Sequence, residues 1–203
     1  MAVALVAAVA LGGRWRPAAA AFLVLVSLAA AGYYTFVASP EALERVTDVE
    51  GGSGRTDIWA VGLRMVEASP TNGIGVGNFA TSSVHYLLEP GALQRDEFIV
   101  DEPKVAHNIY LEVLAELGVV GLVLFLGILG FSLVAAIKAA RSFERAGDKR
   151  MELLARSVSV ALIALLAADF FVSDQFSKQL WLLLALGPTL LRIAGTEERA
   201  AIA

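Results

Sequence analysis

Four stretches of the chain carry an almost unbroken apolar pattern, and charges return between them. Residues 17–37 form a run of about 20 apolar or small side chains without a charge, enough to cross a hydrocarbon layer roughly 30 Å thick. A second span begins near Asn108 and continues to about Ile137. Its first turns hold Glu112 and Glu116, which are expected at the membrane interface. A third span covers residues 153–172, and a shorter fourth covers residues 177–193. Residues 1–11 are apolar but too short to cross. The basic residues Arg14 and Arg16 follow them, the reverse of a signal peptide. The segment reads as the end of an earlier span, and the chain as the C-terminal part of a larger polytopic protein. A short re-entrant leader is the alternative.

Between the first two spans, residues 38–106 form one long polar segment with a pattern of its own. Residues 56–69 predict a short helix, with Thr56 as N-cap, Asp57 at the positive end and a stop at Ser69-Pro70. Ile58, Trp59, Leu63, Met65 and Val66 make its apolar face, suited to resting on the membrane surface, while Arg64 and Glu67 lie on the other. Residues 70–78 follow, and Gly73, Gly75 and Gly77 there predict tight turns and close backbone approach.

Composition places this pattern in one class. The 203 residues are 57% hydrophobic and 18% charged, and the mean hydropathy is +0.68. This is an all-α integral membrane protein, not a soluble domain. The absence of cysteine excludes a disulfide framework and a thiolate nucleophile, and two histidines cannot make a multi-histidine metal site. Carboxylate-only metal sites remain open. The net charge of -4 argues against nucleic-acid binding. Arg14 and Arg16, and then Lys138, Arg141, Arg145, Lys149, Arg150 and Arg156, mark two cytoplasmic segments. Residues 38–106 and 173–178 then fall outside. The outer segment holds eleven Asp or Glu against five Lys or Arg, so its few cations are conspicuous.

Two positions concentrate candidate chemistry. His107 and Asn108 stand where the polar segment meets the second span, in the pattern His-Asn, nine residues, Gly118, two residues, Gly121. An imidazole at that boundary is suited to general base work, with Glu112, Asp101 or Glu102 as candidates to stabilise its cation. The competing role for His107 is a helix cap. Arg55 follows residues 51–54, Gly-Gly-Ser-Gly, and precedes the helix predicted from Thr56. A guanidinium fork beside free backbone N–H groups suits a diphosphate. A solvated arginine paired to a nearby acid is the other reading. His85 has no cationic or glycine support. Gly118, Gly121, Gly127 and Gly130 have the small-residue spacing of helix packing, letting another helix approach closely. Asp169, Asp174 and Lys178 flank the outer end of the third span, where a polar cavity and a solvated turn are both open. Tyr33, Tyr34, Trp59 and Trp181 fit an interfacial belt.

These residues, in this order, resemble the O-antigen ligase and O-antigen polymerase superfamily. The resemblance rests on Gly54-Arg55 with Trp59, on residues 70–79 from Pro70 to Phe79, and on residues 106–111 around His107 with Gly118 and Gly121. It is close over residues 51–130. It implies a polytopic helical bundle of the lipid-carrier-dependent (GT-C-like) type, with a large outer loop containing short helices. It also implies a bacterial inner-membrane enzyme of lipopolysaccharide or related polysaccharide synthesis, active on the outer, periplasmic face. Such enzymes move a glycan from a polyprenyl (undecaprenyl) diphosphate carrier to an acceptor hydroxyl on a glycan, lipid or protein, with inversion and without a metal or cofactor. By the resemblance His107 is the catalytic residue and Arg55 meets the diphosphate, and Asn108 and Arg64 are further candidates for binding substrate. Family members have around a dozen spans and a further arginine in an earlier outer loop, so this chain alone is expected to be inactive. A transporter or channel subunit using Glu112, Glu116 and Asp169, and a noncatalytic scaffold, are the competing readings.

Overall fold

The computed structural model describes residues 2–36, 55–87 and 104–202. Among the described residues every element is helical and no strand occurs. Four helices are long and apolar enough to cross a membrane: Gly13–Tyr33, Ile109–Ala146, Lys149–Ala168 and Lys178–Thr196. The expected all-helical membrane class holds. Residues 51–54, Asp101 and Glu102 lie outside the described residues. The chain divides into two compact units, one of Met1–Gly51, Ser132–Ala164 and Leu183–Ala203, the other of Gly52–Phe131 and Leu165–Leu182.

The first unit holds helix α1 (Ala2–Leu11), a 3₁₀ turn at Gly13–Trp15 and α2 (Arg16–Phe36), with α1 packed on α2. It also holds the C-terminal part of α5 (Ile109–Ala146) and most of α6 (Lys149–Ala168) and α7 (Lys178–Ile202). The turn from α5 to α6 is set by two residues. Gly147 takes φ 79° and closes α5, as a glycine past a helix end does. Asp148 Oδ1 then accepts the N–H groups of Arg150 and Met151, each at 3.0 Å, and caps α6. Buried Glu152 receives Arg14 at 2.5 Å and Arg156 at 2.9 Å, the pairing that a carboxylate out of water requires. This joins the two basic segments that the charge pattern assigns to one side of the membrane.

Within α7, Pro188 has no N–H to offer the Leu184 carbonyl four residues back. Ser132 Oγ donates to that carbonyl at 2.5 Å, satisfying a group that would otherwise be orphaned in an apolar setting. A Cβ on Gly187 would lie 2.2 Å from the Ser132 carbonyl oxygen. This close approach lets Ser132 reach its acceptor.

The second unit is built on the outer segment. Helix α3 (Arg55–Ala68) is packed by Ile58, Val61 and Met65 against Phe79 and Leu87 of α4 (Phe79–Leu87), with Ala106 and Ala115. Burying each of the larger side chains is worth about 1.5–3 kcal/mol. The face expected to rest on the membrane is therefore largely inside the protein, although Leu63 is exposed. Arg55 opens the helix and Thr56 lies within its first turn, so Thr56 is not the N-cap. Helix α5 continues nine residues past the expected end at Ile137, through Lys138 to Ala146. The basic stretch there is made of good helix formers.

Helix α6 ends at Ala168, four residues before the expected boundary. The apolar residues Phe170, Phe171 and Val172 read as membrane span but form a turn, with the Phe171 N–H on the Ala168 carbonyl at 2.8 Å, and the Asp169 carbonyl there receives the Ile109 N–H at 3.0 Å. The fourth span starts at Lys178, and α7 runs on past Ile193 to Ile202.

Candidate functional site

The motif glycines of residues 70–78 and of α5 meet each other. Gly118 has φ 67° and ψ -170° and breaks α5, a conformation only glycine adopts freely. The break releases the Ala115 and Glu116 carbonyls, which accept the N–H groups of Ile74 and Gly75 at 2.9 Å each, while the Val119 N–H goes to the Pro70 carbonyl at 2.9 Å. Gly73, Gly75 and Gly77 all have positive φ, as the tight-turn expectation required. Gly118 was expected to admit another helix. It admits this loop, and a Cβ at Gly118 would lie 2.1 Å from the Thr71 carbonyl oxygen. At Gly121 a Cβ would meet Leu117 of the same helix, whereas Gly127 and Gly130 face open space.

The two carboxylates at the start of α5 are buried within the protein. Glu116 Oε1 accepts the Phe79 N–H at 3.0 Å, placing an acceptor at the positive end of α4. Glu112 Oε2 accepts the Ala106 N–H at 3.1 Å and the Ser173 hydroxyl, and its Oε1 accepts Gln175 Nε2 at 2.5 Å. Glu112 therefore ties the segment before α5 to the turn before α7. Ser177 Oγ accepts the Leu180 N–H at 3.1 Å and donates to Asp174 at 2.8 Å, capping α7.

His107 sits between anchored neighbours. Ala106 donates its N–H to Glu112 and receives Trp59 Nε1 on its carbonyl at 2.9 Å. Asn108 Oδ1 accepts the N–H groups of Tyr110 at 3.0 Å and Leu111 at 3.1 Å, so Asn108 is the N-cap of α5 and His107 is not. His107 itself takes φ 49°, the only non-glycine with positive φ among the described residues. Such a backbone persists where its surroundings over-determine it. The imidazole is partly exposed and has no hydrogen-bond partner among the described residues.

Aromatic rings link this segment to Arg55. Phe170 packs edge-on to Trp59 with centroids 5.7 Å apart, lies 6.5 Å from Tyr110 and 5.3 Å from Phe171. The Arg55 guanidinium stands 5.9 Å over the Phe171 ring, a cation–π contact. Trp59 and Trp181, which donates to the Gln175 carbonyl at 2.8 Å, are thus structural as well as amphipathic. Arg64 donates to the Tyr86 carbonyl at 3.0 Å and holds α3 to α4. His85 is exposed and packs edge-on to Tyr86.

Asp169 lies at the same place. Its carbonyl receives Ile109, its side chain is 1% exposed, and Oδ2 has no hydrogen-bond partner. Burial, and then the neighbouring charge of Asp174, push its pKa from 3.8 up to about 6. The apolar wall made by Phe170 and Phe171 was missed in the sequence. Two adjacent aromatics after a membrane-length run carried no signal to separate them from the span.

A cavity of about 540 Å³ also lies in this unit, along Val113, Leu117, Val120 and Leu124 with Glu116 and Gln175 at its polar part. Neither Arg55 nor His107 lines it. No group of three or more His, Cys, Asp or Glu that could hold a metal occurs among the described residues.

No curated protein matches the chain. The O-antigen ligase family model matches residues 1–126, which takes in α1 to α4, the Gly118 break and both His107 and Arg55. The match supports a glycosyltransferase-type role in polysaccharide synthesis at a membrane. Spanning more than half of the sequence, it shows that the chain belongs to the O-antigen ligase family.

Proposed function

We propose that the second unit is part of the transfer site of a metal-independent, inverting glycosyltransferase. Its donor is a glycan on a polyprenyl diphosphate, its acceptor a hydroxyl, and its location the outer face of a bacterial inner membrane. The acceptor oxygen attacks the anomeric carbon, the bond from that carbon to the diphosphate oxygen breaks, and His107 takes the acceptor proton. Arg55 neutralises the departing diphosphate, since a guanidinium pairs with phosphate oxygens in a fork. Asn108 and Arg64 enter as further substrate contacts beside the structural bonds they already make. Proton removal by a positioned base contributes on the order of 10²- to 10⁴-fold.

The observation that carries the proposal is the backbone of His107. A left-handed histidine, pinned through Ala106 and Asn108 and with its ring unbonded, is strain held in place at a site where an imidazole is left available. Transport is disfavoured, because Glu112 and Glu116 are committed to backbone and side-chain hydrogen bonds.

The test is glycan transfer from a polyprenyl-diphosphate-linked donor in membranes containing the full-length protein, at matched protein level. His107→Gly keeps a backbone that accepts φ 49° while removing the imidazole, so transfer should fall about 10²-fold or more with folding intact. His107→Ala should lose as much. Unchanged transfer in His107→Gly removes His107 from the mechanism.

A further inference from the structure

The first unit contains a basic cavity and an apolar groove that meet at Arg156, and neither takes part in the transfer site. The cavity, about 330 Å³, is lined by Arg16, Arg141 and Arg156 with Glu144, Gly13 and Ser159. The groove, about 470 Å³, runs past Ala4 and Ala8 of α1 and Val160, Ala161 and Ala164 of α6, and shares Arg156 with the cavity.

The charges in this place do not cancel. Arg156 pairs with Glu144 at 2.8 Å and Glu152 at 2.9 Å, and Arg14 pairs with Glu152 at 2.5 Å. Two arginines thus match two glutamates. Arg16 gives one N–H to the Ala10 carbonyl at 2.9 Å and keeps its charge. The Arg141 guanidinium has no ion-pair partner among the described residues. Two guanidinium charges are left facing one cavity.

We propose that this unit holds one anionic phospholipid, its phosphate between Arg16 and Arg141 and an acyl chain in the groove beyond Arg156. Arginine pairs with phosphate oxygens through a planar fork, and basic pockets between membrane helices take such head groups. A free anion would satisfy the arginines but leave the groove empty. A neutral lipid would fill the groove but leave two charges unmatched. Only a molecule with both parts meets both demands.

The test is retention of lipid by the full-length protein, counted by native mass spectrometry after exchange in vesicles of equal phosphatidylglycerol and phosphatidylcholine. One phosphatidylglycerol should be kept in preference. Arg16→Gln with Arg141→Gln should weaken that preference about fivefold for each arginine. Lys149→Gln with Arg150→Gln removes the same charge away from the cavity and should leave it unchanged. Ala161→Phe, which narrows the groove, should lower retention of the lipid, and millimolar inorganic phosphate should not displace it. Equal retention of the two lipids, no retained lipid, or equal loss in both double variants would overturn the proposal. Full displacement by inorganic phosphate would reduce it to an anion site.

Discussion

Asp169 keeps a carboxyl where water does not solvate its charge, and that has a measurable price in pH. With its pKa raised to about 6, the folded protein holds a proton there that the unfolded chain gives up near 3.8. Between those values the folded state binds more protons, so stability falls as pH rises from about 4 to about 6 and is level above. The change is on the order of 3 kcal/mol. Asp169→Asn should abolish that slope in thermal unfolding of the detergent-solubilised protein and be more stable than the parent at pH 7. A slope that survives in the variant assigns it to another group. His107 and Arg55 stood out as candidates because their type and local setting, a boundary and a glycine-rich turn, are written in adjacent residues. The state of Asp169 was not, since a solvated turn and a buried carboxyl have the same local sequence. Only the return of Ile109 and Tyr110 against the end of α6 tells them apart.

At the scale of elements, the break at Gly118 joins α5 to the loop of residues 70–78. Replacing Gly118 with Ala would put a Cβ 2.1 Å from the Thr71 carbonyl oxygen, and on a residue with φ 67°. Strain and overpacking each cost about 1–3 kcal/mol, so Gly118→Ala should destabilise by about 3 kcal/mol or more and lose transfer as the loop detaches. Gly127→Ala in the same helix meets nothing within 4 Å and should stay within about 1 kcal/mol of the parent. Melting temperatures of the two variants decide between this account and helix-to-helix packing at Gly118, since equal behaviour would sink the loop contact. The helices themselves were largely legible, because apolar runs of membrane length and a capped amphipathic stretch are local features. What Gly118 packs against was not. Small-residue spacing announces close approach without naming the partner, and the released carbonyls find theirs more than 40 residues away in sequence.

For the whole molecule, topology is the property that sequence and structure address from different directions. Charge counting assigns residues 12–16 and 138–156 to one side of the membrane. Independently, Arg14 and Arg156 converge on Glu152, which brings those segments together in the first unit. In the second unit, the start of α5, the end of α6 and the turn before α7 are joined through Asp169, Ser173 and Gln175, of which Ser173 and Gln175 fall in a segment assigned to the outer side and Asp169 flanks the outer end of the third span. Helix α6, with 20 residues, is about 30 Å long at 1.5 Å per residue, enough by length to cross one membrane. These 203 residues contain no cysteine, and in a cysteine-free background a single introduced thiol reports its side. Lys149→Cys and Lys178→Cys are both at exposed positions. In intact cells a membrane-impermeant maleimide should label Lys178→Cys and leave Lys149→Cys untouched until the membrane is opened. Labelling of both from outside would mean that α6 does not cross. Labelling of Lys149→Cys alone would invert the chain and put His107 on the cytoplasmic face, where the proposed acceptor chemistry would need a different substrate.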